Sequence, residues 1–128
     1  MYERIINPSD TIYPATPDYV HGLELSDVSR TLLVSGTMGL DTKGDAPDTL
    51  EEQLVLIWAN IERILKEADM SMKNIVRVTS YLGSRDHAET NQQARIRALG
   101  DRRIPTTAII VEIYDPKWFV EIEVVAAA

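Results

Sequence analysis

The stretch TLEEQLVLIWANIERILKEAD, residues 49–69, is the part of the chain from which the rest can be read. Thr49 followed three residues later by Glu52 is a capping box, in which the hydroxyl caps the first turn and the carboxylate reaches back to it. Behind that start Leu54, Ile57, Trp58, Ile61, Ile64, Leu65 and Ala68 recur at the spacing of one helix face. The run ends, and after a short polar break IVRVTSYL at 75–82 is β-branched and of strand length. A helix is thus followed directly by a strand.

Working outward, Asp86 with Glu89 opens a second helix and Gly100 closes it. TTAIIVEI at 106–113 and FVEIEVVAA at 119–127 are two further strands, separated by the turn at Asp115-Pro116. Upstream, 20–25 and 31–35 flank the polar turn Ser26–Arg30 and suit a hairpin, and 2–6 is a short edge strand. Pro8, Pro14 and Pro17 make 7–18 an irregular loop, and the Gly-, Asp- and Thr-rich 36–48 is another. The order is β-β-β-α-β-α-β-β. Two helices cannot cover both faces of about six strands, so the expected architecture is α+β with both helices on one face of a mixed sheet. A second copy of the chain is the simplest cover for the other face, although an antiparallel sheet can leave a half-polar face in water.

The 128 residues make one domain over 1–128, with 45% apolar and 26% charged residues and no linker, repeat or low-complexity stretch. No apolar run approaches the ~20 residues of a membrane-spanning helix, and MYERIINPSD has no apolar leader segment. The expected compartment is the cytoplasm, with no membrane partner. With no cysteine, thiol nucleophiles and Cys-ligated metal sites are excluded. The formal charge of −7 argues against nucleic acid as a partner. The basic residues Arg95, Arg97, Arg102 and Arg103 suit a solvated helix face or a subunit contact.

Chemical motifs are sparse. Phosphate-binding glycine loops and nucleophile elbows are missing, and His21 and His87 are too few for a dedicated metal site, so no metal or cofactor is expected. Glu121 and Glu123 alternate with Val120, Ile122 and Val124 and therefore share one sheet face. On a face covered by a neighbour, a carboxylate taken partly out of water suits general acid–base work; on an open face both simply meet solvent. Tyr19, Ser35, Asn91, Trp118 and Phe119 are each ordinary when read alone.

Taken together, Pro17-Asp18-Tyr19-Val20-His21-Gly22, Leu33-Val34-Ser35-Gly36, the helix above, NIVRVTSYL, and IPTTAIIVEIYDP with FVEIEVVAAA resemble the reactive-intermediate deaminase (RidA/YjgF) family nearly end to end. The resemblance implies a chorismate-mutase-like fold. It also implies a homotrimer whose sheets form an inner barrel, and clefts between subunits that hydrolyse small imines and enamines without metal or cofactor. Carried over residue by residue, Glu121 is the catalytic carboxylate, and Tyr19, Ser35, Gly36 and Asn91 bind the substrate. The family's carboxylate-clamping arginine falls on Thr107, two residues after Pro105, so this chain departs from the pattern there. A hydroxyl offers one neutral hydrogen bond where a charge-assisted fork is roughly twice as strong. Either the ligand lacks a carboxylate at that point or another cation serves. Arg103 is one candidate, though it stands ~13 Å away along an extended chain unless Pro105 turns it back. The implied function is hydrolysis of a small C–N metabolite; the alternative is a non-catalytic small-molecule-binding or regulatory trimer, with a ribonuclease disfavoured by the acidic charge.

Overall fold

Thr49 accepts a hydrogen bond from the Glu52 backbone N–H at 3.2 Å, and the chain coils behind it into α1, Leu50–Glu67. Its face toward the core carries Leu54, Ile57, Ile61 and Leu65, each at most 2% exposed. Burying a side chain of this kind contributes ~1.5–3 kcal/mol relative to leaving it in water. Ile64, expected on the same face, is instead exposed at its margin. The helix ends where Asp69 takes a left-handed backbone, φ 54°, and Met70 N–H bonds back to Leu65. The computed structural model describes all 128 residues.

The element order is β1 Tyr2–Ile6, β2 Gly22–Ser26, β3 Thr31–Met38, α1, β4 Ile75–Leu82, α2 Ala88–Leu99, β5 Thr106–Ile110 and β6 Val120–Ala127, the order expected from the sequence. Four strands form a mixed sheet in the order β3-β6-β4-β5. β6 runs antiparallel to both β3 and β4, and β5 runs parallel to β4. Val78, Leu82, Val120, Ile122, Val124 and Ala126 point to the helix side and join α1 in a single cluster of 17 buried residues. The opposite face is open in the single chain.

Three local expectations are corrected. The hairpin between 20–25 and 31–35 does not form: β2 pairs with β1 in a separate antiparallel ribbon, and β3 pairs with β6. The turn is local, but the strand partners are chosen by apolar burial over long range. Arg102 pins the ribbon to the sheet, donating to Glu3 at 2.7 and 3.0 Å and to the Ile75 carbonyl at 2.6 Å. Second, Asp86 and Glu89 do not cap α2; Ser84 accepts from Asp86 N–H and opens a short 3-10 turn, Arg85–His87, that leads into the helix. Gly100, at φ 61°, closes α2 as expected. Third, β5 ends at Ile110 rather than running to 113.

Candidate functional site

Strand alternation on β6 sends Val120, Ile122 and Val124 into the core, at most 1% exposed, and leaves Glu121 and Glu123 half-buried on the open face. Across from them β3 is irregular. Its register slips between Val34 and Thr37, so Ser35 and Gly36 sit in a bulge. The Glu121 carboxylate lies directly over Gly36: a Cβ there would fall 2.8 Å from Glu121 Cδ and closer still to Oε2. The bare glycine is what lets the carboxylate occupy that position. Ser35 and Gly36 also line a groove of about 640 Å³ with Met38, Asn60 and Ile64; Tyr19, Asn91, Thr107 and Glu121 take no part in it.

Glu123 accepts a hydrogen bond from the Tyr81 hydroxyl at 2.6 Å. That bond, with desolvation and the charges of Glu123 and Glu121, holds the Tyr81 phenol above its ordinary value, while Arg77 pulls the other way. Tyr81 stands opposite Glu121 in the β4–β6 register.

A network the sequence did not announce ties the N-terminal loop that carries Tyr19 to the helix that carries Asn91. Asp18, 14% exposed in its side chain, accepts from Arg95 Nη2 at 2.6 Å, Gln92 Nε2 at 3.2 Å and Thr16 Oγ1 at 2.6 Å. Arg95 Nη1 also donates to the Asp18 carbonyl at 3.2 Å. Burial pushes the Asp18 carboxyl up; the hydrogen bonds from Thr16, Arg95, Gln92 and its own backbone outweigh that and leave it lowered to about 2. The network ties the N-terminal loop to α2, with Tyr19 next to one end of the Asp18–Gln92 bond and Asn91 next to the other. Asn91 is 3% exposed and its Oδ1 has no partner. His21, beside Tyr19, meets the Tyr13 carbonyl through Nε2 at 2.8 Å, which is a packing role.

Thr107 is exposed on β5, level with Thr79 of β4. Its Oγ1 accepts from Arg77 Nη2 at 3.2 Å. Arg103 does not serve this position; it lines a hollow with Glu3, Ile5, Leu23 and Lys73 beside the ribbon. The candidate residues therefore stand apart in one chain: Glu121 lies over Gly36 beside Ser35, Tyr19 and Asn91 adjoin the two bonded residues Asp18 and Gln92, and Thr107 meets Arg77. Arg77, Tyr81 and the Asp18–Arg95 pair escaped the sequence reading. Arg77 and Tyr81 could have been found by carrying the alternation of IVRVTSYL one step further, since both share the face of Thr79. Asp18 and Arg95 lie too far apart in the chain for any local signal.

Comparison with known proteins gives a consistent result. Residues 10–128 match the model of the family described as endoribonuclease L-PSP. A curated RutC family protein from Aquifex aeolicus is 35% identical over 57 residues, 44% of this chain and 46% of that protein, so the match spans just under half of the relative. Among solved structures, the conserved Rid family protein YyfB from Yersinia pestis superposes with a TM-score of 0.80 at 25% identity, covering 100% of both chains. RidA from an Antarctic Psychrobacter superposes with a TM-score of 0.73 at 19% identity over 98% of this chain and 100% of that one, a likeness of fold.

Proposed function

Since the chain belongs to the endoribonuclease L-PSP family, which is the RidA/YjgF family resembled by its sequence, we propose that it hydrolyses a small imine, enamine or related C–N metabolite in clefts between the subunits of a homotrimer. The observation that carries this reading is the Glu121 carboxylate resting on the bare bulge at Gly36. From there it takes a proton from water as the oxygen adds to the C=N carbon. Glu121 returns that proton to the nitrogen to give a carbinolamine, then relays the carbinolamine's hydroxyl proton to the departing amine, so that the C–N bond breaks, ammonia leaves and a carbonyl compound remains. The Ser35 and Tyr19 hydroxyls and the unpartnered Asn91 Oδ1 supply hydrogen bonds to the substrate. The trimer is supported by what one chain leaves uncovered. Leu33, 76% exposed, and Ile109, 43% exposed, lie on the open face, and the edge strand β5 adds Ile110. Groups that stand apart in one chain can then meet across a subunit boundary.

The test is ammonia release from 2-aminoacrylate and a panel of related imines, with Glu121→Ala as the control. Equal turnover by that variant would remove the mechanism. One observation favours a second reading, a binding trimer without turnover: Thr107 stands where the family has a clamping arginine. A metabolite that raises the melting temperature without forming product would support it; saturation at 100-fold over Kd adds ~2.7 kcal/mol of stability. Ribonuclease activity is disfavoured, because the chain carries a formal charge of −7 and Glu121 and Glu123 on the open face would repel phosphates.

A further inference from the structure

α1 and α2 leave a groove between them on the helix side of the sheet, away from the open face that a trimer would cover. It holds about 300 Å³, room for a single-ring compound. β3, β4 and β5 share one direction, so both helices run back against it and lie parallel to each other. Leu54, Val55 and Trp58 line the groove from α1, and Ala94 and Ala98 line it from α2. With the helices parallel, Glu51 and Thr90 stand at one end and Arg97 stands beside Trp58 at the other. Neither Glu51 nor Arg97 belongs to an ion pair of the chain. Trp58 is 7% exposed, and its Nε1 is closed to water and has no acceptor. An indole N–H can only donate, and a buried donor left unpaired is costly. Packing accounts for an aromatic ring at this position but not for an indole, since a phenylalanine would line the groove without the orphan. The wall is otherwise apolar, so the one thing it lacks is an acceptor.

We propose that the groove is a binding site for a small neutral carbonyl compound with an apolar body, whose oxygen accepts the Trp58 N–H. The body lies on Leu54, Val55 and the two alanines. Val55, 70% exposed, and the long, exposed Arg97 side chain are the groups that yield to admit the oxygen. The guanidinium at that end favours the partial negative charge of a carbonyl. Glu51 offsets it from the other end, so the lining has no net charge and a neutral ligand is preferred over an anion. One hydrogen bond made to the buried orphan should be worth roughly tenfold in affinity over an isostere that cannot accept. None of Glu121, Ser35, Tyr19 or Asn91 lines the groove, and the assignment stands apart from the proposed hydrolysis.

The experiment follows the indole N–H resonances of the full chain by NMR while cyclohexanone, or methylenecyclohexane as the isostere without an acceptor, is titrated in. The chain has two tryptophans, and Trp118→Phe assigns the signals. Cyclohexanone is expected to move the Trp58 N–H proton downfield, as a new hydrogen bond does, and to bind about tenfold more tightly than its isostere. Trp58→Phe keeps a ring and removes the donor, so the two probes should then bind equally. Ala98→Leu fills the groove and should weaken both. Melting curves confirm that each variant is folded; if Ala98→Leu is not, the ratio of the two probes in the native protein and in Trp58→Phe decides. A Trp58 resonance that stays still at millimolar cyclohexanone overturns the assignment, as does equal affinity for both probes in the native protein. Cyclohexanone binding that survives both substitutions places the ketone elsewhere on the protein and also overturns it. A Trp58 resonance that moves with protein concentration alone makes a second copy of the chain the occupant, with the same consequence.

Discussion

Gly36→Ala isolates the placement of one carboxylate. The new Cβ would lie 2.8 Å from Glu121 Cδ and 3.1 Å from Cγ, against an ordinary contact of 3.4 Å or more, so the carboxyl carbon must retreat by about 0.6 Å and its near oxygen by more. The obstructing atoms are the end of a half-buried side chain rather than backbone, so they can swing aside. Leaving a preferred rotamer costs ~0.5–1.5 kcal/mol. The reduced freedom of the unfolded chain returns ~0.4–1 kcal/mol, since Gly36 is outside the left-handed region. The two nearly cancel, and the melting temperature should move by no more than about 5 °C. Activity should not be spared: misplacing a reacting group by ~1 Å can cost ~100-fold, and a 10- to 100-fold fall in kcat/KM for imine hydrolysis is expected here. The deciding comparison is the double variant. If alanine at 36 acts only by moving Glu121, adding it to Glu121→Ala changes nothing further. Full activity in Gly36→Ala would refute the reasoning, as would a loss of more than ~3 kcal/mol of stability, which would make the glycine a backbone requirement instead.

Gly39→Ala should behave in the opposite manner: its Cβ would fall 2.6 Å from Gln53 Cα in the first turns of α1, backbone cannot swing aside, and urea unfolding should show a loss of about 2–3 kcal/mol. Gln53→Met should cost about 2–4 kcal/mol by the same assay. Gln53 is 1% exposed, donates to the Pro47 carbonyl at 2.9 Å and the Lys117 carbonyl at 2.8 Å, and accepts from Phe119 N–H at 2.9 Å, and all three part-buried bonds would be lost together. Asp18, lowered from 3.8 to about 2 in the folded chain, contributes stability that is fully present above pH 4 and is lost as the pH falls toward 2. Its share is ~1–2 kcal/mol, so between pH 5 and pH 2.5 the urea midpoint of the native protein should fall further than that of Asp18→Asn.

The sequence carries the fold where the signal is periodic and local. The stripe of Leu54, Ile57, Ile61 and Leu65 repeats over about three turns, and the alternation of Val120, Ile122 and Val124 against Glu121 and Glu123 names both faces of β6. It fails where the partner is chosen at a distance. Nothing within 20–35 says that β3 will desert β2 for a strand some ninety residues on. The site divides in the same way. Glu121 is singled out by the alternation of β6, and Gly36 and Thr107 by the family resemblance, whereas the Asp18–Arg95 pair bridges 77 positions. Gln53 was legible in principle, because it falls four residues before Ile57 on the stripe that continues through Ile61 and Leu65. A polar residue on a buried stripe signals a satisfied interior hydrogen-bonding role.

The position of β6 between β3 and β4 has a consequence for how the chain is made. At ~5–20 residues per second, synthesis takes the chain through β3, both helices and the parallel β4–β5 pair before the strand that must sit at the centre exists. Until 120–127 emerges, β3 is an open edge without a ladder, and the apolar stripe of α1 has only half a sheet to lie on. The nascent chain therefore passes through seconds of exposure that the finished protein never shows. Its late strand works as a zip, joining two halves in one step. Variants that slow the pairing of β6, even those that leave the final stability intact, should lower the yield of soluble protein in cells more than their melting temperatures would suggest.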